Sequence, residues 1–324
     1  MWLAIVAVIV GLAILVWSAD VFIDGAVVLA NKLNVPSFLI GVVILGLGTS
    51  APEMVVSAIA SLQGNPGLAL GNAYGSNITN IGLVVGLVAV LAPIRVQSQI
   101  IKKELPLLLG ITFLAGFQLI DGELSRVDAF VLIAVFFGVM AWSIIQDRKK
   151  SNDTLEAEYK SEIDSHPMSL TRALGWLFIG LVLLVVSSRM LVWGAVVIAQ
   201  SFGVSDLIIG LTIVAIGTSL PELASSLAAI RKNEHELALG NVLGSGLFNT
   251  LAVVGIAAGI HPLSVAPEVL YRDWVLMTVL TAALLIMCVG WKGRRGEIGR
   301  IKGSLLLLAY AGYNLYLLAL VLSQ

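Results

Sequence analysis

The chain carries a long internal repeat, and this repeat constrains the fold more than any single motif does. Residues 35–93 match residues 204–262 at 24 of 59 positions, at a constant offset of 169 and without a gap. Upstream, Gly25-Ala26-Val27-Val28 matches Gly194-Ala195-Val196-Val197 at the same offset. Two halves built on one structural plan are the expected consequence.

Composition places this duplicated chain in a membrane. Of its 324 residues 58% are hydrophobic and 12% are charged, and the mean hydropathy is +0.99. Soluble domains carry about 25% charged residues. Apolar stretches of about 18–25 residues separated by short polar gaps favour spanning helices over barrel strands. We therefore expect an all-α integral membrane protein. Its one cysteine, Cys288, allows neither an intrachain disulfide nor a cysteine-based metal site.

The apolar pattern predicts ten spanning helices. Their cores lie at 2–18, 36–60, 68–92, 105–120, 127–146, 172–190, 205–230, 237–260, 273–291 and 304–321. The first segment has no Lys or Arg ahead of its apolar core, so it is interpreted as a membrane helix rather than a signal peptide. The first and sixth helices can continue through Ala26–Ala30 and Ala195–Ala199.

Charge sets the orientation and divides the chain. An N-terminus outside the cell puts 16 of the 19 Lys and Arg residues in cytoplasmic segments, as the positive-inside rule requires. Between Asp147 and Asp164 ten of 18 residues are charged, which is typical of a solvated linker. We expect a first five-helix half at 1–146, a cytoplasmic linker at 147–170 and a second half at 171–324.

The two halves must cross the membrane in opposite senses. Five helices separate equivalent positions, and five is an odd number. Inverted repeats with interrupted helices are typical of secondary transporters, which bind substrate near the membrane midplane. We expect interruptions in helices 2, 3, 7 and 8, within the repeated segments 35–93 and 204–262.

Each copy of the repeat contains a carboxylate in a membrane helix. Gly48-Thr49-Ser50-Ala51-Pro52-Glu53 returns as Gly217-Thr218-Ser219-Leu220-Pro221-Glu222. A membrane carboxylate costs about 2.5–3.5 kcal/mol on insertion scales and so indicates a functional site. Pro52 cannot donate a backbone hydrogen bond, so carbonyls near Gly48 are expected to face a cavity. Thr49 lies one turn before Glu53, on roughly the same helix face.

The next helix of each copy supplies further polar groups. Residues 71–80 read GNAYGSNITN and residues 240–249 read GNVLGSGLFN. Their small residues allow helices to approach closely. Ser76 shares a helix face with Asn80, as Ser245 does with Asn249, because each pair is four residues apart.

The candidate side chains all offer oxygen, and none is His or Cys. Oxygen ligands favour hard cations such as Ca²⁺, whereas zinc, copper and iron favour nitrogen or sulfur. Two carboxylates balance one Ca²⁺ or two Na⁺. If both ions use the same carboxylates, they occupy the site in alternation. Alternating occupancy is the physical basis of antiport. A purely structural role for the glutamates would need buried basic partners, and Arg189 is the only basic residue well inside a predicted helix.

On these motifs the chain resembles the sodium/calcium exchanger family of calcium:cation antiporters, in its prokaryotic form, over nearly its whole length. The resemblance implies that Glu53 and Glu222 are shared by Ca²⁺ and Na⁺. It also implies three-to-one exchange of Na⁺ for Ca²⁺, with the first and sixth helices sliding over a fixed core. The remaining implied ion-binding residues are Thr49, Thr218, Ser76, Ser245, Ser50, Ser219, Asn80 and Asn249, with the carbonyls of Gly46 and Ala215.

Two departures from the family bear on the coupling ion. Some members have Asp where this chain has Asn249. The absence of that Asp argues against potassium cotransport. Proton-coupled members place Glu shortly after the Gly-Asn pair, where this chain has Gly75 and Gly244. Proton/divalent-cation antiport nevertheless stays open as the alternative.

Two other function classes fit the sequence less well. A cation channel is disfavoured by the inverted repeat, and an intramembrane hydrolase by the absence of His near Ser50 or Ser219. We expect a secondary transporter and not an enzyme, in a prokaryotic inner or plasma membrane, with both termini outside. Its substrates would be Ca²⁺ and Na⁺ and its surroundings the lipid bilayer. No cofactor, nucleic acid or obligatory protein partner is expected.

Overall fold

The fold is known from a computed structural model that describes residues 2–33, 40–64, 66–96, 100–150, 168–201, 215–289 and 296–322. Twelve helices are numbered along the chain as follows: α1 (Trp2–Leu33), α2 (Gly41–Leu45 and Gly46–Thr49), α3 (Ala51–Leu62), α4 (Pro66–Leu91), α5 (Ile100–Glu104 and Leu105–Gln118), α6 (Arg126–Lys150), α7 (Leu170–Ser201), α8 (Ala215–Thr218), α9 (Leu220–Arg231), α10 (His235–Ile260), α11 (Val269–Cys288) and α12 (Arg300–Leu322).

Seven helices in the described part are long and apolar enough to cross a membrane, or eight if the bent pair α2 and α3 is one span. The seven correspond to predicted helices 1, 3, 5, 6, 8, 9 and 10. The predicted fourth helix is an α-helix only over Leu105–Gln118, directly preceded by π-helical Ile100–Glu104. Much of the predicted seventh helix, and most of the predicted linker, lies outside the described residues. Ten helices therefore stay a prediction.

The outer helices present apolar side chains outward, as lipid-facing helices do. Trp2 is 82% exposed, Phe130 74% and Ile301 81%, on α1, α6 and α12 respectively. By contrast, α10 is mostly buried. In the described part of the chain, helices with exposed apolar faces thus pack around a buried centre.

The expected interruptions take two different forms. Between α2 and α3 the chain bends by 50° at Ser50, and Ser219 separates α8 from α9 at the equivalent position of the repeat. Helices α4 and α10 are not broken, which corrects the prediction for helices 3 and 8. Each instead contains a π-helical segment, Asn80–Val85 and Phe248–Val253, where a wider turn absorbs the irregularity.

Four short strands in the described part of the chain modify the all-α prediction. They form two antiparallel pairs, in which β1 (Ile94–Val96) pairs with β4 (Gly296–Ile298), and β2 (Glu123–Leu124) with β3 (Leu263–Ser264). Because Ile94 and Leu263 are 169 positions apart, β1 and β3 follow α4 and α10 at equivalent points of the repeat. Each pair ties the end of a repeated segment to a loop that sequence periodicity does not reveal.

The repeat is visible in the packing of α1 against α7. A Cβ on Gly25 would lie 2.7 Å from the carbonyl oxygen of Ala173, and a Cβ on Gly194 would lie 2.6 Å from that of Ala4. These two contacts are equivalent at the offset of 169. They also show that α1 and α7 run antiparallel, because the late part of each helix meets the early part of the other. The continuation of both helices past residues 26 and 195 is confirmed.

Candidate functional site

The two glutamates lie at the start of equivalent helices. Glu53 is in the first turn of α3 and Glu222 in the first turn of α9, and both are fully buried. Pro52 and Pro221 are each the second residue of their helix, where the missing N–H breaks no helical hydrogen bond. The helix macrodipole favours negative charge at this end. The sequence thus places each carboxylate at a helix N-terminus inside the protein.

The backbone at the bend differs in one detail from the prediction. The Ser50 amide donates to the Gly46 carbonyl at 3.1 Å, and it also points at the Gly48 carbonyl. The carbonyl oxygens of Gly46 and Gly48 are therefore partly engaged within the bend. In the second copy the Ser219 amide donates to the Ile216 carbonyl at 3.1 Å, and Ala215 is where α8 begins.

Ten of the twelve predicted site residues are buried. They are Gly46, Thr49, Ser50, Glu53, Ser76, Asn80, Ser219, Glu222, Ser245 and Asn249. Thr218 is half-buried and has an interaction partner. The side chain of Ala215 lies outside the described part of the structure.

Most of these buried side chains lack a protein partner within the described residues. The partnerless atoms include both carboxylate oxygens of Glu53 and Glu222, the hydroxyls of Ser50, Ser76, Ser219 and Ser245, and both amide atoms of Asn80 and Asn249. Buried polar groups are normally hydrogen-bonded, and an unpaired buried charge is costly. Such a concentration of unpartnered oxygens is the chemistry of a cation-binding site.

Both copies contribute to one cluster. Thr49, Ser50 and Ser245 lie close to the Glu222 carboxylate without reaching hydrogen-bond geometry. The Glu53 and Glu222 carboxylates are near enough to repel each other. That repulsion would be removed by a cation between them.

The π-helical segment of each repeat packs against a helix of the other repeat. The Asn80–Val85 segment packs against α9, which carries Glu222, and the Phe248–Val253 segment packs against α3, which carries Glu53. The amides that begin these regions, Asn80 and Asn249, therefore sit on elements that touch the opposite copy.

Glycines let the backbones of α2 and α10 approach closely, as predicted from the small-residue pattern. A Cβ on Gly46 would lie 3.0 Å from the carbonyl carbon of Gly244, and a Cβ on Gly244 would lie 2.5 Å from the Val42 carbonyl oxygen. A larger residue at either position would push the helices apart. The glycines bring Ser245 next to the bend at Ser50.

Charge in the site comes from the two glutamates. No group of three or more His, Cys, Asp or Glu residues that could hold a metal is found among the described residues. Arg189, on α7, acts electrostatically on Glu53, although its own side chain is exposed. The buried formal charge of about −2 matches one Ca²⁺ or two Na⁺.

The sequence interpretation missed two asparagines that support the site. The Asn72 amide nitrogen donates to the Glu53 carbonyl oxygen at 3.0 Å and to the Ser57 hydroxyl at 2.9 Å. In the second copy Asn241 donates to the Glu222 carbonyl and the Ser226 hydroxyl, both at 3.2 Å.

Asn241 has an additional role that crosses between the copies. Its Oδ1 accepts a hydrogen bond at 3.2 Å from the Thr49 hydroxyl, which shares its single hydrogen with the Leu45 carbonyl at 3.0 Å. Both asparagines belong to the repeated Gly-Asn pair, so their identity at the offset of 169 was the available signal. Their contacts could be found only from the packing of α4 on α3 and of α10 on α9.

Comparison with known proteins agrees with this geometry. The chain matches the family described as sodium/calcium exchanger protein over residues 3–145 and 172–319. It is 46% identical to the putative antiporter CaxA of Alkalimonas amylolytica, covering 98% of this chain and 99% of that protein. It is 39% identical to the inner membrane protein YrbG of Escherichia coli K12, covering 94% of each.

A solved structure shows the same fold. It is the sodium-calcium exchanger NCX_Mj soaked with 2.5 mM Na⁺ and 0.1 mM Ca²⁺, and it is 32% identical with a TM-score of 0.81, covering 95% of this chain and 96% of that one. The family match spans most of the chain in two segments that leave out the charged linker. This chain belongs to the sodium/calcium exchanger family of membrane transport proteins.

Proposed function

We propose that this protein is a Na⁺/Ca²⁺ antiporter that works by alternating access and normally extrudes Ca²⁺ from the cytoplasm. One observation carries the proposal: each repeat contributes one fully buried glutamate whose carboxylate oxygens have no partner among the described residues. The two carboxylates are close enough to interact, and the hydroxyls of Thr49, Ser50 and Ser245 lie near that of Glu222. Ca²⁺ takes six to eight oxygen ligands of this kind.

Competition for the two glutamates couples the ions. When both carboxylates coordinate one Ca²⁺, they cannot coordinate Na⁺ at the same time. The carrier would therefore return across the membrane with Na⁺ only after releasing Ca²⁺. We propose the twelve predicted residues as the ion-binding set, with the glutamates shared and the others completing the coordination.

The antiparallel pair α1 and α7 supports a movement of these helices over the packed centre. Both are long and mostly apolar, and they meet through glycines that leave backbone close to backbone. The complete arrangement we propose has ten spanning helices in two inverted halves, with both termini outside and residues 147–170 in the cytoplasm.

Sodium is the proposed coupling ion because the repeated segments lack the additional acidic residues that other members of the family carry. Gly75 and Gly244 stand where proton-coupled members carry Glu, and Asn249 stands where some members carry Asp. The related NCX_Mj structure was soaked with Na⁺ and Ca²⁺, which agrees with a site that takes both ions. Proton coupling is the competing possibility that the experiment must separate.

Counter-ion dependence in proteoliposomes tests the proposal. Vesicles loaded with Na⁺ and diluted into Na⁺-free buffer should take up ⁴⁵Ca²⁺, whereas vesicles loaded with K⁺, or given only a pH gradient, should not. Glu53→Gln and Glu222→Gln should each abolish the uptake. Glu123→Gln is the matched control, because Glu123 is exposed on β2.

Other outcomes would replace the proposal. Uptake driven by the pH gradient alone would establish proton exchange. Ca²⁺ flux that needs no counter-ion gradient would establish a channel. Full activity of either glutamine variant would remove the glutamates from the site.

A further inference from the structure

A small cavity lies beside Asn80 and is lined by both halves of the chain. Its polar lining comes from Asn77, Asn80, Thr112 and Thr281, with Gly246 and Met277 among its other walls. It has room for about one water-sized molecule. The glutamates are not among its lining residues, so it is a compartment next to the cation cluster rather than part of it.

The threonines offer acceptors to this cavity. The Thr112 hydroxyl donates its hydrogen to the Leu108 carbonyl at 2.9 Å, and the Thr281 hydroxyl donates to the Met277 carbonyl at 2.8 Å. Because a hydroxyl has a single hydrogen, each threonine oxygen can only accept further hydrogen bonds, through its lone pairs. Both threonines are 1% exposed, so bulk water does not satisfy them.

Asn77 adds a third acceptor. Its amide nitrogen donates to the Thr250 hydroxyl at 2.8 Å and to the Met277 sulfur at 3.3 Å. Its Oδ1 is buried and has no partner among the described residues. The side chain is 4% exposed, so its orientation is set by the protein.

The repeat explains how the cavity arises. Thr112 and Thr281 are 169 positions apart, and so are Asn77 and Gly246. The Asn77 Oδ1 lies 3.9 Å from the position that a Cβ on Gly246 would take. The asparagine of one copy thus faces the glycine of the other, so the second copy contributes no amide at the position equivalent to Asn77.

Asn80 connects this cavity with the cation cluster. It lines the cavity, it begins the π-helical segment that packs on α9, and neither of its amide atoms has a partner among the described residues. If its oxygen faces the cations, as the proposed function requires, its nitrogen is on the other branch of the planar amide. That nitrogen is a donor directed at a cavity that otherwise offers acceptors.

We propose that the cavity binds one water molecule that orients Asn80. The water accepts a hydrogen bond from the Asn80 nitrogen and donates to Asn77 Oδ1 and to one threonine hydroxyl. These three bonds match the number that a buried water typically makes. Asn77, Thr112 and Thr281 are then positioning residues, which hold the Asn80 oxygen toward the ions through this water. The inference rests on the proposed function for the direction of the Asn80 oxygen.

A cation is a poorer occupant of the same cavity. It would need the Asn80 oxygen turned away from the glutamates, and it would find no carboxylate among the lining residues. Removing an ion from water into a neutral buried site is expensive.

Isosteric variants test the role of the water. The double variant Thr112→Val and Thr281→Val keeps the side-chain volume and removes both hydroxyl acceptors. We expect its Ca²⁺ dissociation constant to rise about tenfold, as is typical when an outer-shell partner of a metal ligand is lost. Thr278→Val is the control, because Thr278 makes the same kind of bond, to the Trp274 carbonyl at 2.8 Å, and does not line the cavity.

Two readouts separate positioning from folding. The thermal stability of the double variant without ions should match that of Thr278→Val, while its Ca²⁺ affinity should not. Equal Ca²⁺ affinities in the double variant, the control and the unmodified protein would overturn the proposal. If the unmodified protein bound no Ca²⁺, the proposed function itself would fail, which is a distinct result.

A structure of the unmodified protein at about 2 Å resolution decides what the cavity holds, whatever the transport data show. Density about 2.8 Å from Asn77 Oδ1, with no anomalous signal after a Tl⁺ soak, would support a water. An anomalous peak at that position would identify a cation and overturn the proposal. A cavity without density would overturn it as well.

Discussion

At the scale of single residues, Asn241 is the side chain outside the proposed ion ligands whose loss should weaken Ca²⁺ binding most. It donates to the Glu222 backbone and the Ser226 hydroxyl, and it accepts from Thr49 of the other copy. Because it fixes the turn that carries Glu222, Asn241→Ala should weaken Ca²⁺ binding about tenfold. Asn72→Ala should act in the same direction on Glu53. Isothermal titration with Ca²⁺ measures both effects.

The control for these variants is Asn314→Ala. Asn314 donates to the Tyr310 carbonyl at 2.9 Å, within the outer helix α12. The Asn314→Ala variant should have a Ca²⁺ affinity within twofold of that of the unmodified protein. An Asn241→Ala protein that binds Ca²⁺ as tightly as this control would refute the supporting role.

The site residues show what a sequence can and cannot predict at this scale. Glu53 and Glu222 could be found because a carboxylate in an apolar helix is expensive, and the repeat marked Thr49, Ser76 and Asn80 with their counterparts. Asn72 was visible as part of the repeated Gly-Asn pair, but its bond to the Glu53 carbonyl depends on how α4 packs against α3. No spacing along the chain encodes that contact.

At the scale of elements, the contact between α2 and α10 should tolerate no side chain at Gly244. A Cβ there would lie 2.5 Å from the Val42 carbonyl oxygen, so the backbones must separate. Overpacking of this kind costs about 1–3 kcal/mol. Gly244→Ala should therefore lower the melting temperature and also impair Ca²⁺ binding, because Ser245 moves with it. Differential scanning fluorimetry in detergent measures the stability.

Gly138→Ala is the matched control on α6. A Cβ on Gly138 would meet no heavy atom within 4 Å in the described part of the chain. Alanine is the better helix former by about 1 kcal/mol, so this variant should be as stable as the parent or slightly more so. A Gly244→Ala protein that melts with the control would contradict the close approach of the helices.

Two ion pairs join α1 to the end of α9. Arg231 lies 2.9 Å from Asp20, and Lys232 pairs with Asp24. The positions equivalent to Arg231 and Lys232 in the first copy are Leu62 and Gln63, so the repeat does not reproduce these pairs. If α1 slides over the packed centre, the pairs favour the conformation in which they form.

Removing these charges should loosen α1. Exposed pairs contribute about 0–1 kcal/mol each, so Arg231→Gln with Lys232→Gln should speed backbone hydrogen exchange in the late part of α1 by up to about thirtyfold. Arg126→Gln, at an exposed position at the start of α6, is the control. Mass spectrometry reads the exchange by segment, and identical exchange in both proteins would show that the pairs do not restrain α1.

The elements also divide into predictable and unpredictable features. Breaks at Ser50 and Ser219 follow from the glycines and prolines around them. The π-helical segments at Asn80 and Phe248 have no residue signature of their own, and they arise where two helices from different copies must fit together. The short strands likewise depend on loops that meet only after the helices have packed.

At the scale of the whole molecule, the internal repeat determines how equivalent helices are oriented and where the two glutamates meet. The offset of 169 and the odd number of intervening helices predict that equivalent helices run in opposite directions. The contacts of Gly25 with Ala173 and of Gly194 with Ala4 agree with this for α1 and α7. Two halves facing each other in this way bring one glutamate from each to a common place, and that place has a charge suited to one divalent cation.

The equilibrium stoichiometry of Ca²⁺ binding distinguishes one site shared by the two halves from two independent sites. If the halves form one shared site, the purified protein should bind one Ca²⁺ per chain, Na⁺ should displace it, and either Glu53→Gln or Glu222→Gln alone should abolish it. Two Ca²⁺ per chain in the unmodified protein, with one retained in each single variant, would show two independent sites and contradict the account.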